Sequence, residues 1–365
     1  MSKAIFITNP IFASDAWGNN HPLAISRQRS LLDFCSALGW TSNQNMAICD
    51  FASLEQISKF HSEEYILAFQ KASQELKIDA AGRAKFSLGT LENPLFDKVF
   101  ERASASVGGS ILAAEIALGG KVAFHPAGGT HHGRKDKASG FCYFNDPVFA
   151  ILTLLDAGLN RVLYVDIDAH HGDGVEVAFK ADKRVHMVSL HEENRWPNSG
   201  ALKDNCAQIC NLPLPKTTND SEYAILIDAI CEKYVGFDAQ AIVIVAGGDC
   251  LKGDPLSTMA LSNLGFVSAI EKLLKLAPVK IVLGGGGYNP WTVTRAWALV
   301  WGRLAGFEIP VTLPSSARDV LSGLECDLIV EEDIFHEWRD SIQDEGNVGE
   351  IRDEINILVG SLLKF

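Results

Sequence analysis

A segment that alternates acidic and apolar residues before a run of histidines and glycines, YVDIDAHHGDG at residues 164–174, is the clearest candidate for chemistry in the sequence. In an extended backbone, residues two positions apart project on the same side of the chain, so Asp166, Asp168 and His170 should point together. Carboxylates this close need a cation, a proton or strong hydrogen bonds to offset their repulsion. Because Asp and His are also zinc ligands, we interpret the segment as a metal site.

Paired histidines, His131 and His132, lie between a predicted strand and the sequence GFCYFND. They follow a glycine turn, which suits a loop that enters the same cleft. A neutral imidazole can carry protons near physiological pH, and a neighbouring carboxylate fixes its tautomer and tunes its pKa. The histidine pair alone is weak evidence of catalysis, since most such pairs are surface or core residues.

Two glycine-rich segments also follow apolar runs. The sequence AGGDCLKGDP at 246–255 offers Asp249 or Asp254 as a further metal ligand, and spacing alone does not choose between them. The sequence LGGGGYNP at 283–290 lets the backbone approach a ligand closely and carries Tyr288. A phosphate-binding loop is disfavoured because this run has neither the GxxxxGK[ST] pattern nor the GxGxxG spacing.

The elements that must position these segments follow from hydrophobic patterning. Short apolar runs alternate with longer helical patterns, which predicts an α/β fold: a three-layer sandwich around a mostly parallel sheet. The predicted strands are 4–8, 121–124, 161–168, 185–190, 241–246 and 280–283. The predicted helices are 27–38, 62–74, 94–118, 146–157, 220–235, 262–276 and 291–304. Residues 192–214 and 313–349 are expected to be irregular. Ligands bind beyond the carboxyl ends of parallel strands, and all four segments lie at such ends.

Composition and charge narrow the class of protein. The 365 residues include 32 Lys and Arg against 45 Asp and Glu, a net charge of −13, which argues against nucleic acid as a partner. No apolar run approaches the roughly 18 residues of a membrane span, and the N-terminal segment is typical of a first strand rather than a signal peptide. Eight cysteines without a CxxC pair suit a reducing cytosol. We therefore expect one domain over residues 1–365, cytoplasmic and without a membrane partner.

Together the four segments resemble the zinc-dependent histone deacetylase family, which includes bacterial acetoin-utilisation-protein-like members and acetylpolyamine amidohydrolases. The shared motifs are HH…GFCYFND, DxDxHHGDG, GGD…GDP and GGGGYN. The resemblance runs from about His21 to Gly302, so the active-site core is expected within 21–302. It implies the arginase–deacetylase fold, a single domain with an eight-stranded parallel sheet.

The resemblance implies two kinds of metal site. One Zn²⁺ per chain would be held by Asp168, His170 and Asp254. Structural K⁺ would occupy two sites, formed by Asp166, Asp168, His170, Ser189 and Leu190, and by Phe179, Asp182 and Val185.

The resemblance also implies hydrolysis of an amide by activated water. A bound metal ion can lower the pKa of water from about 16 to about 7 and polarise a carbonyl group. His132 would act as the general base and pair with Asp173. His131 would pair with Asp166 and either stay protonated or act as an electrostatic partner. Tyr288 would donate a hydrogen bond to the substrate carbonyl and to the oxyanion that develops from it.

A substrate pocket is implied at six positions: Glu92, Gly140, Phe141, Trp196, Leu261 and Gly286. Gly140 and Phe141 would line a narrow tunnel for an acyl-lysine side chain, with Trp196 or Pro197 on the opposite wall. Glu92 would grip the substrate backbone at the rim, and Arg27 would lie beneath the tunnel.

Leu261 bears on the choice of substrate. It stands where polyamine-selective relatives place a glutamate, and a leucine there offers no charge to a second ammonium group. We therefore expect the partner to be an acylated lysine in a peptide or protein, rather than a small acylated amine such as an acetylpolyamine.

Two alternative functions fit the sequence less well. A binuclear manganese ureohydrolase would need a carboxylate two residues after His170, and that position is Gly172. A non-catalytic reader of acylated peptides should lack a metal ligand, the base or Tyr288, and none is missing. The sequence therefore favours an enzyme with one catalytic metal ion.

Overall fold

The computed structural model describes residues 3–14, 17–18 and 21–362. Its centre is one sheet of eight strands: β1 (Ala4–Thr8), β2 (Met46–Ile48), β3 (Val122–His125), β4 (Val162–Asp166), β5 (Val185–Glu192), β6 (Ile209–Leu214), β7 (Ala241–Val245) and β8 (Val279–Leu283). The strands lie in the order β2-β1-β3-β8-β7-β4-β5-β6, and every neighbouring pair is parallel. The predicted parallel α/β architecture is confirmed.

Helices cover both faces of the sheet, because alternate residues of its central strands are apolar on each side. Along β4, for example, Leu163 packs into one core and Tyr164 into the other. The helices are α1 (Arg27–Ala37), α2 (Leu54–Ser58), α3 (Glu63–Glu75), α4 (Ala80–Phe86), α5 (Val99–Leu118), α6 (Asp146–Asp156), α7 (Asp173–Phe179), α8 (Asp220–Val235), α9 (Asn263–Leu273), α10 (Pro290–Ala305), α11 (Ser315–Ser322), α12 (Glu337–Asp340) and α13 (Asp353–Leu362). Within the described ranges, no helix is both long and apolar enough to cross a lipid bilayer.

The two strands that the sequence did not predict lie at the edges of the sheet. β2 has only three residues, too few for a pattern to be visible. β6 contains Pro213, which an edge strand tolerates because one of its sides needs no backbone donor. The expectation of irregular structure was therefore wrong at residues 209–214. It was also wrong in part of the C-terminal segment, where α11 and α12 form two short helices.

The register of the four central strands aligns their carboxyl ends in one row. Asp166 of β4 lies opposite Val245 of β7, which lies opposite Leu283 of β8. Leu283 in turn lies opposite His125 of β3. The four loops that leave this row carry the four segments identified in the sequence. Residues as far apart along the chain as His131 and Tyr288 therefore converge at one edge of the sheet.

The loops that follow β3 and β8 touch so closely that there is no room for a side chain between them. Gly129 has a left-handed backbone with φ of +87°, and a Cβ there would lie 2.6 Å from the carbonyl carbon of Gly284. Gly158, which follows α6, has a similar φ of +92° but no atom within 4 Å of a Cβ. Both glycines permit an unusual backbone, but only Gly129 also permits a loop contact.

Gly129→Ala should therefore destabilise the protein more than Gly158→Ala. Both variants carry the left-handed strain, roughly 1–2 kcal/mol. Gly129→Ala adds an overpacking cost of about 1–3 kcal/mol. Urea unfolding followed by circular dichroism measures the difference. Equal losses of unfolding free energy in the two variants would show that the contact between the loops is not tight.

Candidate active site

A group of buried metal-binding side chains lies where β4 and β7 end. Single ligand atoms of Asp168, His170 and Asp249 lie within 4.8 Å of one another. The Nδ1 atom of His170 is 2.9 Å from Oδ2 of Asp249 and 3.2 Å from Oδ1 of Asp168. Burial opposes protonation of this imidazole, but hydrogen bonds to the two carboxylates raise the pKa of His170 to about 10. The group has the donor chemistry of a site for a divalent cation.

Asp254 lies beside this group but outside it. Its Oδ2 atom accepts a hydrogen bond from the Tyr288 amide at 2.7 Å, and its Oδ1 atom accepts one from the Leu256 amide at 2.9 Å. Burial and the charge of Asp249 raise the pKa of Asp254 well above its ordinary value. The structure therefore brings both candidate aspartates to the site and places the Asp249 carboxylate nearer to His170.

The two neighbouring histidines occupy different electrostatic environments. Nδ1 of His131 is 2.7 Å from Oδ2 of Asp166, and Nδ1 of His132 is 2.7 Å from Oδ1 of Asp173. Burial opposes protonation of both rings. The charges of Asp166 and other carboxylates outweigh burial at His131 and raise its pKa to about 9. Burial and the nearby positive charge of His131 lower the pKa of His132 to about 3.

His132 is therefore a neutral imidazole with a fixed orientation. Since Asp173 accepts from Nδ1, the lone pair lies on Nε2, the atom needed to accept a proton. Arg134 donates to the same carboxylate and thereby holds the acceptor in place. Both pairings expected from the sequence, His132 with Asp173 and His131 with Asp166, are present in the structure.

A cavity opens from the histidines to the surface. Its lining residues are Glu92, His132, Gly140, Phe141, His170, Glu192, Asn194, Arg195, Trp196, Lys216, Leu256 and Tyr288. The Trp196 ring packs edge-on against His132, with ring centroids 4.6 Å apart. A Cβ at Gly140 would lie 2.4 Å from the Trp196 ring, so this glycine sets the width of the cavity. Gly140 and Trp196 therefore both line the cavity, as expected from the sequence.

The turn before α5 supports the cavity wall that contains Gly140. The helix begins at Val99 rather than at residue 94, because Lys98 has a left-handed backbone with φ of +61°, which a right-handed helix cannot contain. Oε1 of Glu92 accepts from the Gly140 amide at 2.9 Å, and Oδ1 of Asn93 accepts from the Phe141 amide at 3.0 Å. Glu92 therefore lies at the rim, as expected.

Tyr288 is brought to the cavity by the glycine run after β8. Arg27 donates to the carbonyl oxygens of Gly285 at 2.9 Å and Gly287 at 3.2 Å, and it lies over the Trp297 ring. The arginine thus lies beneath the cavity, as expected, and anchors the loop that carries the phenol. Burial raises the pKa of Tyr288 well above its ordinary value, so the phenol keeps its proton and can donate it in a hydrogen bond.

Two expected substrate contacts are placed differently. Leu261 has no exposed surface and packs in the larger core, so it cannot form the rim of the cavity. Leu256, five residues earlier, lines the cavity instead. The Gly286 amide donates to Oδ2 of Asp168 at 2.6 Å, so this glycine supports the metal-binding group. Sequence distance from the GDP motif did not show which leucine faces the cavity.

Four polar lining residues were not predicted from the sequence: Glu192, Asn194, Arg195 and Lys216. Lys216 reaches the cavity because β6 ends at Leu214, beside the end of β5. Recognition of that strand would have placed Lys216 at the carboxyl edge of the sheet, where ligands bind.

The residues expected to bind potassium take part in other contacts. The hydroxyl of Ser189, within β5, is 3.0 Å from Nδ1 of His191. Asp182 forms an ion pair of 2.6 Å with Arg184 in the turn before β5. The two potassium sites stay predictions.

Comparison with known proteins identifies the family. A model of the histone deacetylase domain matches residues 21–304. The chain belongs to the histone deacetylase family. Histone deacetylase 8 of Xenopus tropicalis is 33% identical over 303 residues, which cover 79% of this chain and 81% of that protein. Histone deacetylase RPD3 of Saccharomyces cerevisiae is 34% identical over 309 residues, covering 82% and 71% of the two chains.

Solved structures of the family share the whole architecture. A crystal structure of a histone deacetylase homologue from Aquifex aeolicus has a TM-score of 0.93 and 32% sequence identity, and it covers 98% of this chain and 99% of that one. A homologue complexed with SAHA matches equally well. The expected arginase–deacetylase fold is confirmed, and the chain is a member of this family of deacetylase hydrolases.

The burial of Leu261 predicts that a charged substitution there destabilises the protein more than the same substitution at Leu256, which lines the cavity. Leu261→Glu should lower the unfolding free energy by about 3–5 kcal/mol, because it buries a charge without a partner. Leu256→Glu places the same side chain at the open cavity and should change stability by only about 0.5 kcal/mol. Denaturant unfolding of the two variants measures this. If the Leu261→Glu protein were as stable as the unsubstituted chain, Leu261 would lie at the rim of the cavity and not in the core.

Proposed function

We propose that the protein is a zinc-dependent amidohydrolase that removes acetyl or other acyl groups from lysine side chains of peptides or proteins. The pairing of His132 with Asp173 carries the proposal, because it places a neutral base beside a metal-binding group at the bottom of a cavity with aromatic walls. Family membership supports deacetylation, and the Phe141 and Trp196 rings that line the cavity support an acylated side chain with an aliphatic stem.

The donor set fits zinc. Carboxylates and one imidazole converge at a buried point, and within the described part of the chain no lysine or arginine forms an ion pair with the Asp249 carboxylate. Asp168 and His170 would hold the ion together with Asp254, the aspartate that the resemblance assigns, or with Asp249, which lies nearer to His170. Such an ion supplies a Lewis acid for the carbonyl and lowers the pKa of water.

The chain's own residues supply the remaining steps. Nε2 of His132 accepts a proton from the attacking water, while Asp173 stabilises the imidazolium that forms. The Tyr288 hydroxyl donates a hydrogen bond to the carbonyl oxygen as negative charge develops on it. His132 then returns the proton to the leaving amine. Phe141 and Trp196 hold the aliphatic part of the substrate and exclude water from its sides.

The alternatives fit less well. A ureohydrolase needs a further carboxylate at position 172, but a Cβ at Gly172 would lie only 2.2 Å from Oδ2 of Asp166. An acetylpolyamine has no peptide backbone for the Glu92 carboxylate to bind, and Lys216, on the other side of the mouth, would repel its second ammonium group.

Asp254→Ala and Asp249→Ala test the third metal ligand. We expect Asp254→Ala to lose most bound zinc and most activity while its circular dichroism spectrum is unchanged. Asp249→Ala should retain more zinc. Metal content is measured by mass spectrometry of the purified variants. Full zinc occupancy in Asp254→Ala, with loss in Asp249→Ala, would assign the ligand to Asp249.

Turnover of acetyl-lysine peptides tests the function directly. The unsubstituted enzyme should have a higher kcat/KM for these peptides than for acetylspermidine or acetylputrescine. Tyr288→Phe should keep its zinc and lose about 10²–10³-fold in kcat, the usual effect of one oxyanion donor. Tyr234→Phe removes a hydroxyl from α8 and should leave kcat unchanged. A tenfold preference for an acetylpolyamine would overturn the substrate assignment, and a kcat within about threefold in Tyr288→Phe would overturn the role of the tyrosine.

A further inference from the structure

The mouth of the cavity carries charged side chains of both signs: Glu92, Glu192, Arg195 and Lys216. Two of them neutralise each other. Nε of Arg195 is 2.7 Å and Nη2 is 2.8 Å from the two carboxylate oxygens of Glu192, a two-point ion pair. Glu192 also accepts from the amide and the hydroxyl of Thr258, each at 2.7 Å. The pair of Glu192 and Arg195 is therefore part of the cavity wall, and its two opposite charges offset each other, so neither is available to bind a ligand.

Glu92 and Lys216 are the remaining charges. Glu92 accepts from the Gly140 amide, but no cationic side chain pairs with its carboxylate in the part of the chain that the structure describes. Lys216 is exposed, and its ammonium group has no ion-pair partner among the described residues. The backbone carbonyl of Lys216 accepts from Arg352 at 2.8 Å, which fixes the position of this residue after β6.

These two charges lie on different sides of the mouth. Glu92 holds the wall that contains Gly140, whereas Lys216 follows the edge strand β6, next to the segment that contains Arg195. The protein as a whole carries a net charge of −13, so a free cation at the mouth is not the result of a generally basic surface. The mouth therefore has a negative side and a positive side.

We propose that this mouth selects acyl-lysine substrates that carry a carboxylate next to the acylated side chain, and that Lys216 binds this carboxylate. The α-carboxylate of a C-terminal or free Nε-acyl-lysine provides it. The α-amino or amide nitrogen of the same residue then faces Glu92. This inference rests on the proposed deacylase function and narrows its substrate class. An acetylpolyamine has no carboxylate for Lys216.

Paired peptides test the proposal. Gly-Lys(acetyl) with a free C-terminus is compared with the same dipeptide as a C-terminal amide. Two tripeptide amides in which the acetyl-lysine precedes Asp or Asn separate an acidic side chain from the α-carboxylate as the source of charge. Each kcat/KM is measured for the zinc-loaded full chain, for Lys216→Gln and for Lys203→Gln. Lys203 is a matched control because it lines the neighbouring groove rather than this cavity.

The unsubstituted enzyme should prefer the free carboxylate over the amide by about two- to fivefold, the range of one exposed ion pair. The preference should disappear in Lys216→Gln, persist in Lys203→Gln and weaken between 0.05 and 0.5 M NaCl, concentrations chosen because salt screens exposed charges. A preference for Asp over Asn without one for the free C-terminus would support Lys216 as the carboxylate site but overturn the α-carboxylate as its source.

Two results would overturn the inference altogether: equal kcat/KM for all paired substrates, or a carboxylate preference that survives in Lys216→Gln. In either case, turnover of the amide peptides would leave the proposed deacylase function standing. Absence of turnover with every acyl-lysine substrate would instead overturn the proposed function itself.

Discussion

Burial of four carboxylates at one edge of the sheet is the constraint on which the rest of the structure depends. Asp166, Asp168, Asp249 and Asp254 are each at most 6% exposed. A buried charge costs several kcal/mol unless donors or opposite charges surround it. The compensating groups come from all four converging loops and from the strand β4 itself: the Ala169, Leu256, Gly286 and Tyr288 amides, the His131 and His170 rings, and the Tyr164 hydroxyl.

The glycines around the site follow from this constraint. A Cβ at Gly247 would lie 2.1 Å from the Asp168 carboxylate, and one at Gly286 would lie 2.0 Å from the Asp249 carboxylate. Backbone amides can approach the buried charges only where side chains are absent. The flexible glycine run then needs an external anchor, which Arg27 provides from a distant part of the chain.

The same arrangement gives two adjacent histidines different protonation states. The rings of His131 and His132 lie 3.9 Å apart, so a proton on one disfavours a proton on the other. His131 lies among the buried carboxylates and holds the positive charge. His132 pairs with the Asp173 carboxylate and stays neutral, so its Nε2 atom is free to accept a proton. The paired histidines and carboxylates thus lie at the carboxyl ends of the central strands, whereas Arg195 and Lys216 at the mouth follow the outer strands β5 and β6.

The sequence by itself determined the parallel α/β class, six of the eight strands and the residues that lie at their ends. Those results depend on local rules: apolar runs form buried strands, and residues two apart, such as Asp166 and Asp168, project on one side. The pairings of His131 and His132 were also predictable, through the family resemblance rather than through spacing.

Only the tertiary structure decided which side chains reach the cavity. It buried Leu261 and exposed Leu256 to the cavity, although both follow the same motif. It placed Asp249 rather than Asp254 beside His170, a choice that the sequence spacing had left open. It also placed Lys216 at the mouth of the cavity, because Lys216 follows β6, an edge strand that the hydrophobic pattern did not predict. The physical reason is that spacing fixes the direction of neighbouring side chains, whereas burial and contact between loops depend on how distant segments pack.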